Sequence, residues 1–234
     1  VDLPMIYLAQ HEVTVGEFEA FIEDGGYQDL QWWSPAGRRF LEQLDPSELR
    51  PAGWERQRRR PREPVRGVSP YEAEAYAAWL SSLDGPSGAA YRLPFDAEWE
   101  RAARYDPRQA QRPGRTYPWG EVWGDGGLEA GGLRPIGTRD GDQTPSGIFD
   151  LGGNVAEIVR VDAASRDEES ASENRYFRRG SVGTETFLQP HHAQTTFRGD
   201  LPDPARRYDR TGFRLVREIM QADGTAGEEE TTDR

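Results

Sequence analysis

The pattern of apolar and polar positions divides the chain into a helix-rich first half and a turn-rich second half. Residues 1–13 read as an extended strand, after which Thr14 opens a helix. Thr14-Val-Gly-Glu17 has capping-box spacing, in which hydroxyl and carboxylate each satisfy a free amide at the helix start. Phe18, Phe21 and Ile22 form its apolar stripe, and Gly25-Gly26 ends it. Residues 32–65 follow as a long irregular stretch rich in Pro, Trp and Arg. Ser69-Pro70-Tyr-Glu72 then starts a second helix, with a cap, a proline at the first position and a glutamate at the third. Its stripe is Ala73, Tyr76, Ala77, Trp79 and Leu80, and Asp84-Gly85-Pro86 closes it. A third helix is predicted over 96–104. Beyond it, turn-rich segments at 107–118, 124–132 and 140–145 accompany short strands expected at 133–136, 156–160, 176–179, 195–198 and 212–217. Short strands, long loops and two or three helices predict one irregular α+β domain over 1–217.

Composition sharpens this picture. The 234 residues include 7 Trp, 9 Tyr and 9 Phe beside 26 Gly and 17 Pro, which predicts a loop-rich globule held by aromatic clusters. The net charge is −12; residues 218–234 hold six acids and one base, hence −5, leaving −7 for the rest. That acidic end is read as a solvated, disordered tail, and the balance argues against general nucleic-acid affinity. The arginine run Arg56-Gln-Arg-Arg-Arg-Pro-Arg62 is either an anion patch or, in this acidic context, a solvated loop neutralised by nearby acids. No apolar run approaches the roughly 20 residues of a membrane span. No signal peptide opens the chain, and a cytoplasmic location is expected. Because Val1 is not a natural start, the domain is expected to belong to a longer, bacterial protein, with an upstream signalling or effector domain.

The densest chemistry lies in Gly147-Ile-Phe-Asp-Leu-Gly-Gly-Asn-Val-Ala-Glu157, a Gly-Gly-Asn turn with Asp150 and Glu157 flanking it. Seven further landmarks accompany it in order: Glu12-Val-Thr14, Pro64-Val-Arg-Gly-Val-Ser69, Tyr91-Arg-Leu-Pro94, Glu98-Trp-Glu100, Tyr117-Pro-Trp-Gly120, Arg179-Gly-Ser181 and Gly212-Phe-Arg214. Together they resemble the formylglycine-generating-enzyme, or sulfatase-modifying-factor, domain family, a variant of the C-type lectin fold. Several positions depart from that pattern. Phe95 stands where the family has a threonine before the third helix, so Asp96 is expected to cap it. Ala156 and Ile158 replace aromatics, and Val182 replaces a tryptophan. The two copper-binding catalytic cysteines of the enzyme would fall near Thr184 and Gln189, and the chain has no cysteine at all. Neither a hydroxyl nor an amide replaces a thiolate on Cu(I), so the formylglycine-generating reaction is not available through that chemistry. A second branch, the sulfoxide synthases, holds iron on three histidines in an added helical domain. This chain has only His11, His191 and His192. The adjacent pair would point to opposite faces of a strand, so a loop or surface pair is expected rather than a shared metal. Neither copper nor iron is expected.

The resemblance implies a structural Ca²⁺ at Asp150, Gly153, Val155 and Glu157. Calcium's need for about six to eight oxygens suits a glycine turn flanked by carboxylates; the alternative is a tight turn whose two carboxylates accept N–H bonds. Charges within the other motifs, Arg92, Glu98, Glu100 and Arg214, are expected to form buried ion pairs tying loops to helices. By the same resemblance the ligand face spans residues 183–210, with Thr184, Glu185, Phe187, Gln189, His191, His192, Phe197, Arg198 and Tyr208 available. Mixed aromatic, charged and amide groups on loops of a rigid scaffold are a recognition composition, although ordinary surface loops look similar. The expected function is a non-catalytic binding or sensing module, a pseudoenzyme serving a protein or small-molecule ligand. The alternatives are a variable protein of a diversity-generating retroelement, and an enzyme with a replaced, cysteine-free site.

Overall fold

The computed structural model describes residues 6–84, 89–106, 108, 113–126, 132–161, 176–180 and 189–219. Among them the elements run β1 (Tyr7–Leu8), α1 (Val15–Glu23), α2 (Pro35–Glu42), α3 (Trp54–Gln57), α4 (Pro70–Leu83), β2 (Ala89–Arg92) and α5 (Asp96–Arg104). They continue with β3 (Ala156–Arg160), β4 (Tyr176–Arg179), β5 (Gly199–Asp200), β6 (Thr211–Gly212) and β7 (Val216–Ile219). The strands form two small sheets, one ordered β1-β7-β2 and antiparallel, the other ordered β5-β4-β3-β6 with β3 and β6 parallel. This is the mixed α+β arrangement that the pattern predicts.

Helix starts follow the local chemistry. Thr14 and Glu17 close the predicted capping box on α1, and Ser69 and Glu72 close theirs on α4. Glu72 is fully buried and works twice, since Arg207 donates two bonds to its carboxylate at 2.7 and 2.9 Å and Tyr27 donates a further one. The stretch 32–65 is not irregular: it holds α2, α3 and a 3₁₀ turn at Pro46–Glu48. Ser34-Pro35 starts α2 as Ser69-Pro70 starts α4, with the Ser34 hydroxyl accepting from the Gly37 N–H. The cap of α5 also differs from expectation. Glu98 reaches back to accept from the Phe95 N–H, while the Asp96 carboxylate turns to Arg179 and Arg198.

The predicted strands at 156–160 and 176–179 are present with those bounds. The others shift. Residues 133–136 form no strand, 195–198 precede β5, and 212–217 split into β6 and β7 around the buried Phe213-Arg214-Leu215. Strand β7 runs past the expected domain end. Glu218 pairs with Ala90, and its carboxylate accepts from Arg92 Nε at 2.6 Å, so the first two residues of the expected tail belong to the sheet. The rest of that tail lies outside the described residues. The arginine run at 56–62 is a solvated face with acids beside it, Arg58 lying 3.3 Å from Glu19 and Arg60 3.1 Å from Glu63.

The core is aromatic. Phe18 stacks on Tyr76 at 5.4 Å and meets Phe21 and Phe213 edge-on at 5.3 and 6.2 Å, tying α1 and α4 to the segment before β7. Gly26 lies against the same cluster, where an added Cβ would meet the Phe21 ring at 2.2 Å. Gly26→Ala therefore forces either Phe21 or the helix end to move. We expect a loss of about 1–3 kcal/mol in urea denaturation; an unchanged midpoint would show that the cluster is loosely packed.

Candidate functional site

Strand β3 brings the sequence landmarks together. Its Glu157 lies opposite Arg179 of β4 and opposite Gly212 of β6, so three motifs meet at one position of the sheet. A side chain at 212 would collide with the Val65 carbonyl at 2.3 Å, which is why glycine stands there. The turn ahead of β3 is held in left-handed backbone at two non-glycine residues, Asp150 (φ 61°) and Asn154 (φ 70°). Each is fixed by its own side chain. Asp150 Oδ2 accepts from the Gly137 N–H at 2.6 Å, and the Asn154 amide bonds both to and from the Arg134 backbone. The Asp142 carboxylate accepts from the Gly152 N–H at 3.0 and 3.1 Å. Burial, then the nearby charge of Asp150, pushes its pKa up to about 7.

A buried guanidinium engages one of the two signature carboxylates. Arg214 and Glu157 are both fully buried, and Arg214 donates to Glu157 from Nε at 2.7 Å and from Nη2 at 2.6 Å. Trp99 Nε1 donates to the same carboxylate at 2.8 Å. Arg214 places its remaining donors on the carbonyls of Ala9, Gln10 and Phe149 at 2.8–3.3 Å, so all five of its N–H bonds have acceptors. Three of the roughly four acceptor directions of Glu157 are thereby taken. Gly153 and Val155 are buried in the turn. Among the described residues no group of three or more His, Asp or Glu side chains is placed to hold a metal ion. With three donors on its carboxylate, Glu157 has about one acceptor direction left for a cation.

The expected ion pairs in the other motifs are present. Arg92 forms a two-pronged bond with Glu98 at 2.7 and 2.8 Å, and Glu100 accepts from Arg179 at 2.9 Å. Arg179 is the second buried guanidinium node. Its Nε donates to Asp96 at 2.6 Å, its Nη1 to the carbonyls of Thr195 and Phe197, both at 3.1 Å, and its face lies over Trp99. Those two carbonyls belong to the segment that carries the expected ligand face. Thr195 binds back to Thr116 and Arg115 at 2.9 and 2.7 Å, so the segment is held from both sides.

On that segment His191 and His192 lie in a 3₁₀ turn, Pro190–Ala193, not a strand, and their rings sit side by side with centroids 4.0 Å apart. Phe197 meets them edge-on at 4.9 and 6.0 Å. Burial, then His191 and Arg178, lowers the pKa of His192, which favours its neutral form. Exposed Gln189 begins the turn, and Arg198 lies over Phe177 while pairing with Asp96. Ala193 packs against the cluster of Tyr117, Trp119 and Trp123, where Tyr117 and Trp119 stack at 5.2 Å. Tyr208 is placed elsewhere, against the main core with Arg206 over its ring. Thr184, Glu185 and Phe187 lie outside the described residues. The reading from sequence missed Trp119 as part of the face, although Tyr117-Pro-Trp119 displays two aromatics across a turn residue.

The profile of the family described as "Sulfatase-modifying factor enzyme 1-like domain" matches residues 1–219, and the chain belongs to that family. It is 33% identical over 208 residues to the "Inactive C-alpha-formylglycine-generating enzyme 2" of Bos taurus, covering 81% of this chain and 60% of that protein. It is 37% identical over 132 residues to the "Hercynine oxygenase" of Mycolicibacterium thermoresistibile, covering 52% of this chain and 27% of that protein. The chain thus spans between about a quarter and three fifths of the lengths of these relatives. Two solved structures share the fold: PvdO from Pseudomonas aeruginosa and the Treponema denticola variable protein 1. Their TM-scores are 0.61 and 0.56, their identities 24% and 19%; each comparison covers 92% of this chain and 80% and 85% of theirs respectively.

Two predictions follow from the signature. Arg214→Met leaves Glu157 buried without its counter-charge and is expected to cost about 3–5 kcal/mol in denaturant unfolding. The double variant R214M/E157L recovers part of that loss, whereas equal losses would remove the pair as the cause. Asp142 concerns pH. A carboxyl whose folded pKa lies above its unfolded one weakens the fold most above the folded value, and that weakening disappears as pH falls below the unfolded value. This site therefore favours the fold progressively from pH 8 down toward 4. Asp142→Asn retains an acceptor for Gly152 and should raise stability at pH 8 by an amount on the order of a few kcal/mol, flattening that slope. An unaltered pH profile would mean that Asp142 ionises normally.

Proposed function

We propose that this domain is a non-catalytic recognition module that binds a small molecule or a protein through the face of Trp119, Trp123, His191, His192 and Phe197. The observation that carries the reading is the anchoring of residues 189–198: buried Arg179 holds two of their carbonyls, and Thr195 donates to the carbonyls of Arg115 and Thr116, next to Tyr117 in the chain. A preordered surface loses little conformational freedom when a ligand docks. Half-buried tryptophans and edge-on imidazole and phenyl rings supply large contact area at low side-chain entropy. The absence of cysteine and the likeness to a relative named as inactive support the same reading. The module serves a longer protein, consistent with its spanning only part of the relatives it matches.

A second reading is favoured by one observation, the 37% identity to the hercynine oxygenase. In that reading the domain is one part of an oxygenase whose remaining groups come from another region of the protein.

One experiment separates them. The purified protein is screened with a metabolite and peptide library, using tryptophan fluorescence as the readout, and each hit is retested on Trp123→Ala and His192→Ala. The recognition reading predicts at least about tenfold weaker binding in both variants with unchanged melting temperature. Hits that bind the variants as well as the wild type would place recognition elsewhere. Stoichiometric iron together with hercynine-dependent oxygen uptake would replace this reading with the second.

A further inference from the structure

A separate cavity of about 370 Å³ opens between the β1-β7-β2 sheet and helix α4. Its walls include Tyr76 and Leu80 of α4, Tyr91 of β2, and Leu215; Tyr7, 53% exposed, stands at its mouth. The volume lies within the usual range for a small-molecule site. His11 and Glu12 also line it, and they carry its unusual chemistry. Glu12 is only 2% exposed, and neither of its carboxylate oxygens has a hydrogen-bond partner; the buried His11 Nδ1 has none either.

Such a carboxylate is out of character for this protein. Buried Glu157, Glu98 and Glu72 each hold an arginine. A buried acid without a partner costs several kcal/mol relative to a satisfied one, so native structures seldom keep one unused. The cation nearest in charge interaction, Arg214, cannot serve it, because its five N–H bonds already end on Glu157 and three backbone carbonyls. Among the described residues no side chain donates to Glu12, and burial, then Asp150, raises its pKa well above the usual carboxylate range; a donor brought into the cavity would satisfy it. The donor's charge follows from the surroundings: Glu17 lines the cavity and the charge of Asp150 acts on Glu12, so an anion is repelled. The only arginine in the lining, Arg217, lies 3.6 Å from Asp84.

We propose that this cavity is a binding site for a small organic amine, whose ammonium group donates to Glu12 while its hydrocarbon or aromatic body lies against Tyr76, Leu80, Tyr91 and Leu215. Tyr7 closes over the body at the mouth. The site is distinct from the His191–Phe197 face and does not depend on the role assigned to that face.

The test is calorimetric titration of the full 234-residue chain with three amines, 2-phenylethylamine, isoamylamine and agmatine. The matched acid 3-phenylpropanoate and the alcohol 2-phenylethanol serve as controls. We expect saturable one-to-one binding of at least one amine, no binding of the acid, and affinity weaker by roughly tenfold or more in Glu12→Gln. Leu80→Trp, which fills the cavity without touching the carboxylate, should abolish binding in a protein whose circular dichroism is unchanged. It carries the test if Glu12→Gln fails to fold. His192→Ala should bind the amine like the wild type. Absence of binding by all three amines, or full affinity retained in Leu80→Trp, would overturn the proposal.

Discussion

The structure depends on one buried contact, the two-pronged bond between Arg214 and Glu157. Each is inaccessible to solvent, so each would be severely destabilising alone, and together they satisfy one another. The guanidinium does more than neutralise charge. Its remaining donors collect the backbone carbonyls of Ala9, Gln10 and Phe149, joining the first strand region, the signature turn and the segment before β7 at one point. A loop-rich domain with short strands has few regular ladders to satisfy its backbone, and a fully engaged arginine substitutes for one.

Arg179 repeats the device where function is proposed. It joins α5, through Asp96 and Glu100, to the carbonyls of residues 195 and 197. Because Glu157 and Arg179 face each other across β3 and β4, the node that holds the scaffold sits beside the node that holds the proposed recognition surface. The loops of the face are thus free to vary in side chain while their backbone stays anchored. The proposed recognition role would use this anchoring and needs no cysteine, of which the chain has none.

What was legible in the sequence was local. The capping boxes at Thr14 and Ser69 and the strands at 156–160 and 176–179 follow from neighbouring residues, and they stand as read. Even so, Ser34-Pro35 carries the same helix-start signal as Ser69-Pro70, and a Trp- and Arg-rich context obscured it. The misreadings share a cause in distant partners. Asp96 looked like a helix cap because Arg179, which claims it, lies 83 residues away. The guanidinium on Glu157 could not be foreseen from local spacing either, because Arg214 lies 57 residues beyond it. Two neighbouring carboxylates call for positive charge, but spacing alone does not say whether an ion or a guanidinium supplies it. The histidine pair, read as a loop or surface pair, does lie in a turn, Pro190–Ala193, with His191 exposed.

The identity of that positive charge is the claim on which the rest rests, and calcium dependence tests it most directly. Thermal unfolding of the wild-type protein should give the same melting temperature in excess calcium and in excess chelator, because Arg214 already occupies Glu157. A calcium-induced rise in melting temperature that is lost on replacing Asp150 or Glu157 would contradict the account and put a metal ion beside the signature carboxylates.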